Sequence, residues 1–156
     1  VTPAEWTEIT VRRLPFEHAD STLLHSAQRA EIASVYGRDD SEPGEPATAE
    51  NVSAFVVAYT DGMPSGCGGL RAVSDTVTEI KRMYVTPAHR GSGASRAILV
   101  ELETIAREQG ATRLVLETGD RLPAAMRFYE REGFTRIENF GPYAGVDASV
   151  CFGKTL

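Results

Sequence analysis

Cysteine is scarce in this sequence of 156 residues: Cys67 and Cys151 are the only two, and they stand far apart. No CxxC pair exists, so neither a zinc site nor a redox motif is signalled. Both read as small buried hydrophobes, and a disulfide requires the fold to bring them together. Histidine is equally sparse. His18, His25 and His89 form no ligand cluster, and no metal is expected. No apolar run approaches the ~20 residues that span a bilayer. No charged-then-apolar leader opens the sequence. A cytoplasmic protein without membrane contact is therefore the expectation. A basic excess is missing too: Lys and Arg number 16 against 22 Asp and Glu, a net charge of −6. That speaks against nucleic acid, which needs a basic footprint, and mildly favours cationic partners.

What is present suits one domain, residues 1–156, with one core. Glu8 to Leu14 alternates polar and apolar residues and reads as a strand closed by Pro15. Asp20 or Ser21 is the candidate cap of a helix that runs, with a possible break, through Val35 and ends at Tyr36-Gly37. Arg38 to Glu50, with Asp39, Asp40, Glu42, Glu45, two prolines and a glycine, reads as a solvated loop. Ala54 to Thr60, Ser65 to Val73 and Val77 to Val85 read as three antiparallel strands with turns at Asp61-Gly62 and Ser74-Asp75. Gly93 to Gln109 is the clearest helix, with Ile98, Leu99, Leu102, Ile105 and Ala106 on one face and Gly110 at its end. Thr112 to Thr118 is a nearly continuous apolar strand. Pro123 to Arg131 is a short helix ended by Gly133. Phe134 to Asn139 and Ser149 to Thr155 are the last two strands. The strand–helix–strand unit from Val77 to Thr118 predicts a parallel pair. The fold class is mixed α/β: a mixed sheet with helices on both faces.

The most informative segment is the turn Val85-Thr-Pro-Ala-His-Arg90-Gly91-Ser92-Gly93-Ala94-Ser95, between a strand and a helix. Small residues let the backbone approach a ligand. Helix-start N–H groups and the helix dipole attract phosphate, and Arg90 adds a charge. The spacing is not GxxxxGK[ST], which excludes a P-loop nucleotidase. It is not GxGxxG, and no ribose-binding acid follows, which disfavours a dinucleotide fold. On spacing alone, a turn that merely caps a helix is an equal reading.

Arg90-x-x-Gly93-x-Ser95 resembles the Q/R-x-x-G-x-G/A pyrophosphate loop of the GNAT acetyltransferases. Glu79-Ile-Lys-Arg-Met-Tyr-Val85 resembles the strand leading into that loop, and Leu116-Glu117-Thr118 its partner strand. Ala125-Met-Arg-Phe-Tyr129-Glu-Arg-Glu-Gly133-Phe134 resembles the helix and turn that end the acyl-CoA site. The resemblance covers Ala54 to Phe134 well and the ends more loosely. It implies a GNAT fold: a mostly antiparallel sheet of six to seven strands whose parallel pair splays to admit coenzyme A. It implies acetyl-CoA as co-substrate and no metal. Backbone groups of Met83 and Val85, with Tyr84 between them, would meet the pantetheine. N–H groups of Arg90, Gly91, Ser92, Gly93, Ala94 and Ser95 would hold the pyrophosphate. Two positions depart from the pattern. Ser95 replaces the last Gly or Ala, and stays small with its N–H available. Leu122 stands where many relatives carry Asn or Gln, so one polar contact to the cofactor is expected to be missing.

Acetyl transfer to an amine needs a proton acceptor for the ammonium, donors for the developing oxyanion, and a proton for the departing thiolate. The resemblance implies Glu79 as base, directly or through water, and Tyr129 as acid. It implies an oxyanion donor among the N–H groups from Met83 to Val85. Each has a plainer reading: a strand-surface glutamate paired with Lys81 or an Arg, and a packed aromatic beside Phe128. For the acceptor, Tyr36, Arg71, Arg82 and Tyr143 are the candidates. Arg71 follows Cys67-Gly-Gly-Leu, where glycines permit close approach of a backbone or ligand. An Arg facing the pocket points to an acceptor with a carboxylate. The acidic loop from Asp39 to Glu50 points to a cationic one, a polyamine or aminoglycoside. Gly141-Pro142-Tyr143 marks a turn expected to set Tyr143 at the cleft mouth. The leading expectation is a small-molecule amine acetyltransferase, monomer or homodimer. Lysine or N-terminal acetylation of proteins, a catalytically idle acyl-CoA sensor, and an unrelated α/β binding module are the competing readings.

Overall fold

The computed structural model describes residues 7–38 and 42–156. Seven strands, β1 (Ile9–Arg13), β2 (Ala54–Thr60), β3 (Met63–Ala72), β4 (Val77–Val85), β5 (Arg113–Gly119), β6 (Thr135–Ile137) and β7 (Ser149–Thr155), form one sheet in the order β1-β2-β3-β4-β5-β7-β6. Three α-helices among the described residues accompany it: α1 (Ala19–Tyr36), α2 (Ala94–Glu108) and α3 (Pro123–Arg131). Every neighbouring pair of strands is antiparallel except β4–β5. The predicted mixed sheet, the helices on both faces and the parallel pair are thus all present.

Alternation along the strands sorts the faces. Val56, Ala58, Ile80, Leu114 and Leu116 point to the face packed by α2 and α3, where Ile98, Leu99, Leu102, Tyr129 and Phe134 join one core. Phe55, Val57, Cys67 and Tyr84 point the other way, to Leu24 and Ala27 of α1. The glycines before Arg71 serve packing of the sheet's neighbours: a Cβ on Gly68 would lie 2.9 Å from Leu102 of α2. Cys67 and Cys151 are free and buried, on strands separated by β4 and β5.

Three local readings change. Helix α1 is continuous, and its cap is His18, whose Nδ1 accepts from the Asp20 N–H at 3.1 Å. Ser21 is buried instead, its hydroxyl donating to the Pro15 carbonyl at 2.8 Å. Strand β6 is shorter than expected because Phe134 leaves the strand for the core beside Tyr129, 5.5 Å between ring centroids. The turns at Pro87–His89 and Gly141–Tyr143 are single 3-10 turns, each opened by a proline or Gly-Pro.

The opening in the sheet has a local cause. The β4–β5 ladder holds only at Val77–Arg113, Thr78–Leu114 and Glu79–Val115. Beyond Glu79, β4 stays with β3 and β5 stays with β7 along its whole length. A bulge in β4 breaks the β3–β4 register between Cys67 and Gly69. There Arg82 takes φ = +55°, a left-handed backbone that non-glycine residues rarely adopt. Bulges bend a strand and re-aim its side chains, and this one turns β4 away from β5.

Candidate functional site

Where β4 and β5 part, a cavity of about 240 Å³ passes through the plane of the sheet. Gln28, Ile32 and Tyr36, one stripe at four-residue spacing on α1, wall it on one face. Leu122, Ala125 and Tyr129 wall it on the α3 side. Lys81, Arg82 and Met83 of β4 form one flank; Glu117, Thr118, Gly119 and Ser149 form the other.

Glu117 is the carboxylate that enters this space from β5. It interrupts an apolar strand and points to the α1 face, opposite Leu116. Ser149 of β7 donates to its Oε2 at 3.1 Å. Burial pushes its pKa up to about 7, helped by the negative charges of Glu42 and Glu79 and opposed by the Ser149 hydroxyl and Lys81. Such a group exchanges protons near neutral pH, which suits a general base.

Glu79 is differently placed. It is 3% exposed and does not line the cavity. Its Oε2 accepts from the Tyr143 hydroxyl at 2.6 Å and stands 3.6 Å from Lys81 Nζ; its Oε1 accepts from Arg71 at 3.3 Å. The sequence reading put the proton acceptor here, but three partners surround this carboxylate beneath the cavity wall.

Tyr129 does line the cavity, and it is 6% exposed. Phe128, Phe134 and Phe152 fix its ring, with centroids 5.2, 5.5 and 6.4 Å away. Burial raises its pKa, so the phenol holds its proton at neutral pH and serves as a hydrogen-bond donor to an anion in the cavity. It approaches from the α3 face, whereas Glu117 approaches from the α1 face.

Of the expected pantetheine contacts, Met83 lines the cavity; Tyr84 and Val85 do not, being packed into the cores on either face. The Met83 carbonyl accepts from Gln28 Nε2 at 2.9 Å, and the Val85 carbonyl from Arg90 Nε at 3.1 Å. Each carbonyl retains a second lone pair for an incoming amide. The glycine-rich loop lies beyond, at the C-terminal end of β4. Gly91 and Gly93 have φ of +77° and +94°, and an added Cβ on Gly91 would meet nothing, so the loop is open on its outer side. Helix α2 starts at Ala94, whose N–H donates to Ser92 Oγ at 3.4 Å, and its cap residue Gly93 has no side chain to bond the N–H groups of the next two residues, Ser95 and Arg96, which are left for an anion. Within the loop, Arg90 N–H and Ser92 N–H donate to Pro87 and His89 carbonyls at 3.4 and 3.3 Å. The Arg90 guanidinium pairs with Glu31 of α1 at 2.7 Å, so it braces the loop against that helix. Gly91, Gly93 and Ser95 are the members of the expected set that fit a phosphate cradle. Leu122 presents an apolar wall, in keeping with its departure from the family pattern.

Of the acceptor candidates, Tyr36 and Arg82 line the cavity; Arg71 and Tyr143 do not. Arg71 donates to the Glu45 carbonyl at 2.8 Å and faces Glu79, tying the acidic loop to β3. Tyr143 is fully buried rather than at a mouth, because its hydroxyl sits between Glu79 and Lys81 Nζ, 3.0 Å from the latter. The Tyr36 hydroxyl closes one end of the cavity over Gly119, where a Cβ would fall 1.9 Å from it. The Arg121 N–H donates to that hydroxyl at 3.2 Å. Gln28, Glu42, Glu117 and Ser149 were missed from sequence. A lone acid inside Leu-Val-Leu-Glu-Thr was the available signal for Glu117. Among the described residues no group of side chains could hold a metal. No helix there is long and apolar enough to cross a membrane.

Comparison with known proteins agrees with this fold. Residues 15–134 match the model of the "Acetyltransferase (GNAT) family". An IAA acetyltransferase of Azospirillum brasilense is 35% identical over 103 residues, 65% of this chain and 67% of that protein. An uncharacterized N-acetyltransferase of Escherichia coli, YjgM, is 32% identical over 69% of this chain and 59% of its own length. A putative acyl-CoA N-acyltransferase of Klebsiella pneumoniae superimposes with a TM-score of 0.81 at 28% identity, covering 95% of this chain and 97% of that one. An N-acetyltransferase of Thermoplasma acidophilum solved with coenzyme A shares the fold at a TM-score of 0.70 and 18% identity.

Proposed function

The chain belongs to the GNAT acetyltransferase family, and from that premise we propose that it moves an acetyl group from acetyl-CoA to the amine of a small molecule by direct attack. Glu117 takes the proton and Tyr129 supplies one. The observation that carries this is the passage through the sheet, with a carboxylate tuned to about 7 on the α1 face and a protonated phenol on the α3 face. Base and acid then serve opposite sides of one reacting carbon.

A thioester supplies the activated acyl carbon and the thiolate that leaves. The open loop at Gly91, Gly93 and Ser95 binds the pyrophosphate, and Met83 aligns the pantetheine along the unpaired edge of β4. An N–H between Met83 and Val85 donates to the carbonyl oxygen as it gains charge. Glu117 accepts the ammonium proton, which exposes the nitrogen lone pair. Tyr129 gives its phenolic proton to the leaving sulfur. Glu79 holds Tyr143 and Lys81 in place and is a positioning residue in this scheme. The cavity's modest volume and the closure of its end by Tyr36 favour a small acceptor over a protein segment. The IAA acetyltransferase relative supports the same choice.

Thiol release from acetyl-CoA, measured against amino acids, polyamines, aminoglycosides and short peptides, tests the reading. Turnover of a small amine that falls at least about a hundredfold in Glu117→Gln, with acetyl-CoA binding kept, supports it. Turnover of peptides alone would move the acceptor to proteins. Binding of acetyl-CoA with no turnover of any amine would make the protein a sensor.

A further inference from the structure

The buried charges on the cavity wall are answered from within the chain. Lys81 and Arg82 border the cavity with side chains only 3% and 8% exposed. Lys81 Nζ pairs with Glu42, donates to the Tyr143 hydroxyl at 3.0 Å and stands 3.6 Å from Glu79. Arg82 lies 3.6 Å from the other oxygen of Glu42. Neither cation calls for a ligand anion, and Glu42, with both oxygens engaged, does not call for a ligand cation. Arg38 borders the cavity as an exposed side chain, where water screens any ion pair. Of the acids lining the cavity among the described residues, Glu42 and Glu117, only the second is left to an acceptor. A second charge on the acceptor therefore has no place. An additional ammonium would approach Lys81 and Arg82, and a carboxylate would have to displace Glu42. Leaving water for either position is costly.

What remains of the wall is carbon. Ile32 and Tyr36 of α1, Pro43 of the loop after it, and Val146 and Ala148 before β7 all line the cavity. All five are half-buried, and neither hydrophobic core includes them. The segments that carry them are held by the chain itself. A Cβ on Gly44 would fall 2.7 Å from Pro142, so the loop of Pro43 packs on the turn that precedes Val146. Asn139 Nδ2 donates to the Val146 and Ser149 carbonyls at 3.1 and 3.0 Å, which fixes the approach to β7. A preformed apolar wall that belongs to no core gains most when an apolar group covers it. On the reading that this is a small-amine acetyltransferase, we propose that the acceptor is a monoamine with an uncharged, apolar body, which packs on Ile32, Pro43, Val146 and Ala148 while its ammonium meets Glu117. Both charge signals of the sequence then fall away. Arg71 does not line the cavity, and Glu42 of the acidic loop serves Lys81 and Arg82.

The test compares three amines with the same five-carbon chain: pentylamine, the diamine cadaverine and the amino acid δ-aminovalerate. Thiol release from acetyl-CoA gives kcat/KM, and calorimetry gives binding of each amine to the coenzyme A complex. The expected result is that pentylamine exceeds both charged partners about tenfold or more in both readouts. From ethylamine to pentylamine, kcat/KM should rise about threefold per added methylene. Val146→Asp places an acid on the apolar wall and should raise the ratio of cadaverine to pentylamine about tenfold or more. An unchanged ratio in that variant, with its melting temperature and acetyl-CoA binding intact, takes Val146 out of the acceptor site and overturns the proposal. Equal or better use of cadaverine or δ-aminovalerate by the wild type, or turnover confined to amines with a second charge, overturns the apolar site and leaves acetyl transfer standing. Absence of turnover with every amine, charged or not, while acetyl-CoA binds, overturns the small-amine reading and this inference with it. The wild-type comparison needs no variant, so a misfolded substitution cannot obscure it.

Discussion

The Ser149 hydroxyl donates to Glu117 Oε2 at 3.1 Å across the β5–β7 pair, and both side chains border the cavity. This bond favours the ionised carboxylate, whereas the neighbouring charge of Glu42 disfavours it. A base with a pKa of about 7 gives kcat/KM an acid limb near that pH. Ser149→Ala should move the limb to higher pH and Glu42→Gln to lower pH, each by roughly half a unit or more. Carboxyl NMR titration of the acceptor-free protein reads the same shifts directly. A limb that ignores both variants belongs to another group.

The same carboxyl links activity to stability. Its pKa is raised from 4.5 to about 7 by folding, so the folded state holds the proton more tightly than the unfolded chain. The stabilisation from that proton is complete below about 4.5 and is lost as pH rises through about 7. Glu117→Gln does not titrate. Its stability relative to wild type should therefore climb across this window and exceed wild type above it, by on the order of 2 kcal/mol. For a chain of this size that is a Tm gain of roughly 4–8 °C at pH 8. Equal melting curves at pH 5 and pH 8 would place the ionised carboxyl in water.

Much of this arrangement was legible in the sequence, and the part that was not has a common cause. The order of elements along the chain, the antiparallel run from Ala54 to Val85, the parallel crossover and helix α2 followed from local periodicity and from turns such as Asp61-Gly62 and Gly110. The glycine-rich turn stood out by its composition, and Tyr129 was singled out by the resemblance to the family. The resemblance made Glu79 the base candidate, and in the fold its carboxylate meets Arg71, Lys81 and Tyr143, which come together only in three dimensions. Tyr143 lies 64 residues from Glu79 in sequence. Glu117 carried a local signal, a charge in an apolar strand, but the role proposed for it depends on Ser149 and on the splay that begins beyond Glu79. The bulge at Arg82 left no mark in the sequence, since an arginine gives no hint of a positive φ.

Gly119 and Tyr36 make one joint. A Cβ at 119 would sit 1.9 Å from the Tyr36 hydroxyl and 2.8 Å from its ring carbon, so Gly119→Ala must push Tyr36 away. That breaks its bond from the Arg121 N–H and opens this end of the cavity. A stability loss of about 1–3 kcal/mol is expected, together with a higher KM for the acceptor. In Gly119→Ala/Tyr36→Leu, stability should recover while KM stays high. A double variant no more stable than the single one would show that the clash lies elsewhere.

Acetyl-CoA itself should stabilise the folded chain by mass action. At a hundredfold excess over Kd the gain is about 2.7 kcal/mol, or roughly 5–10 °C in Tm. Gly93→Ala strains a residue at φ = +94° beside the phosphate cradle and should reduce that shift. The effect on Tm without ligand should be smaller than the loss of ligand response. A full acetyl-CoA response in Gly93→Ala would move the pyrophosphate away from this loop.

Tyr129 separates proton donation from packing. Its ring is held among Phe128, Phe134 and Phe152, and phenylalanine keeps those contacts. Only the hydroxyl changes in Tyr129→Phe. Loss of a general acid lowers kcat by about a hundredfold to ten-thousandfold, with acetyl-CoA binding unchanged. The dependence on the leaving thiol should sharpen as well, because an unprotonated thiolate departs according to its own basicity. Acyl thioesters of more acidic thiols should then recover part of the lost rate in the variant. They should gain less in wild type, where the proposed acid is intact. Equal losses in kcat and in binding would make the hydroxyl a structural group, and the proton for the thiolate would have to come from solvent.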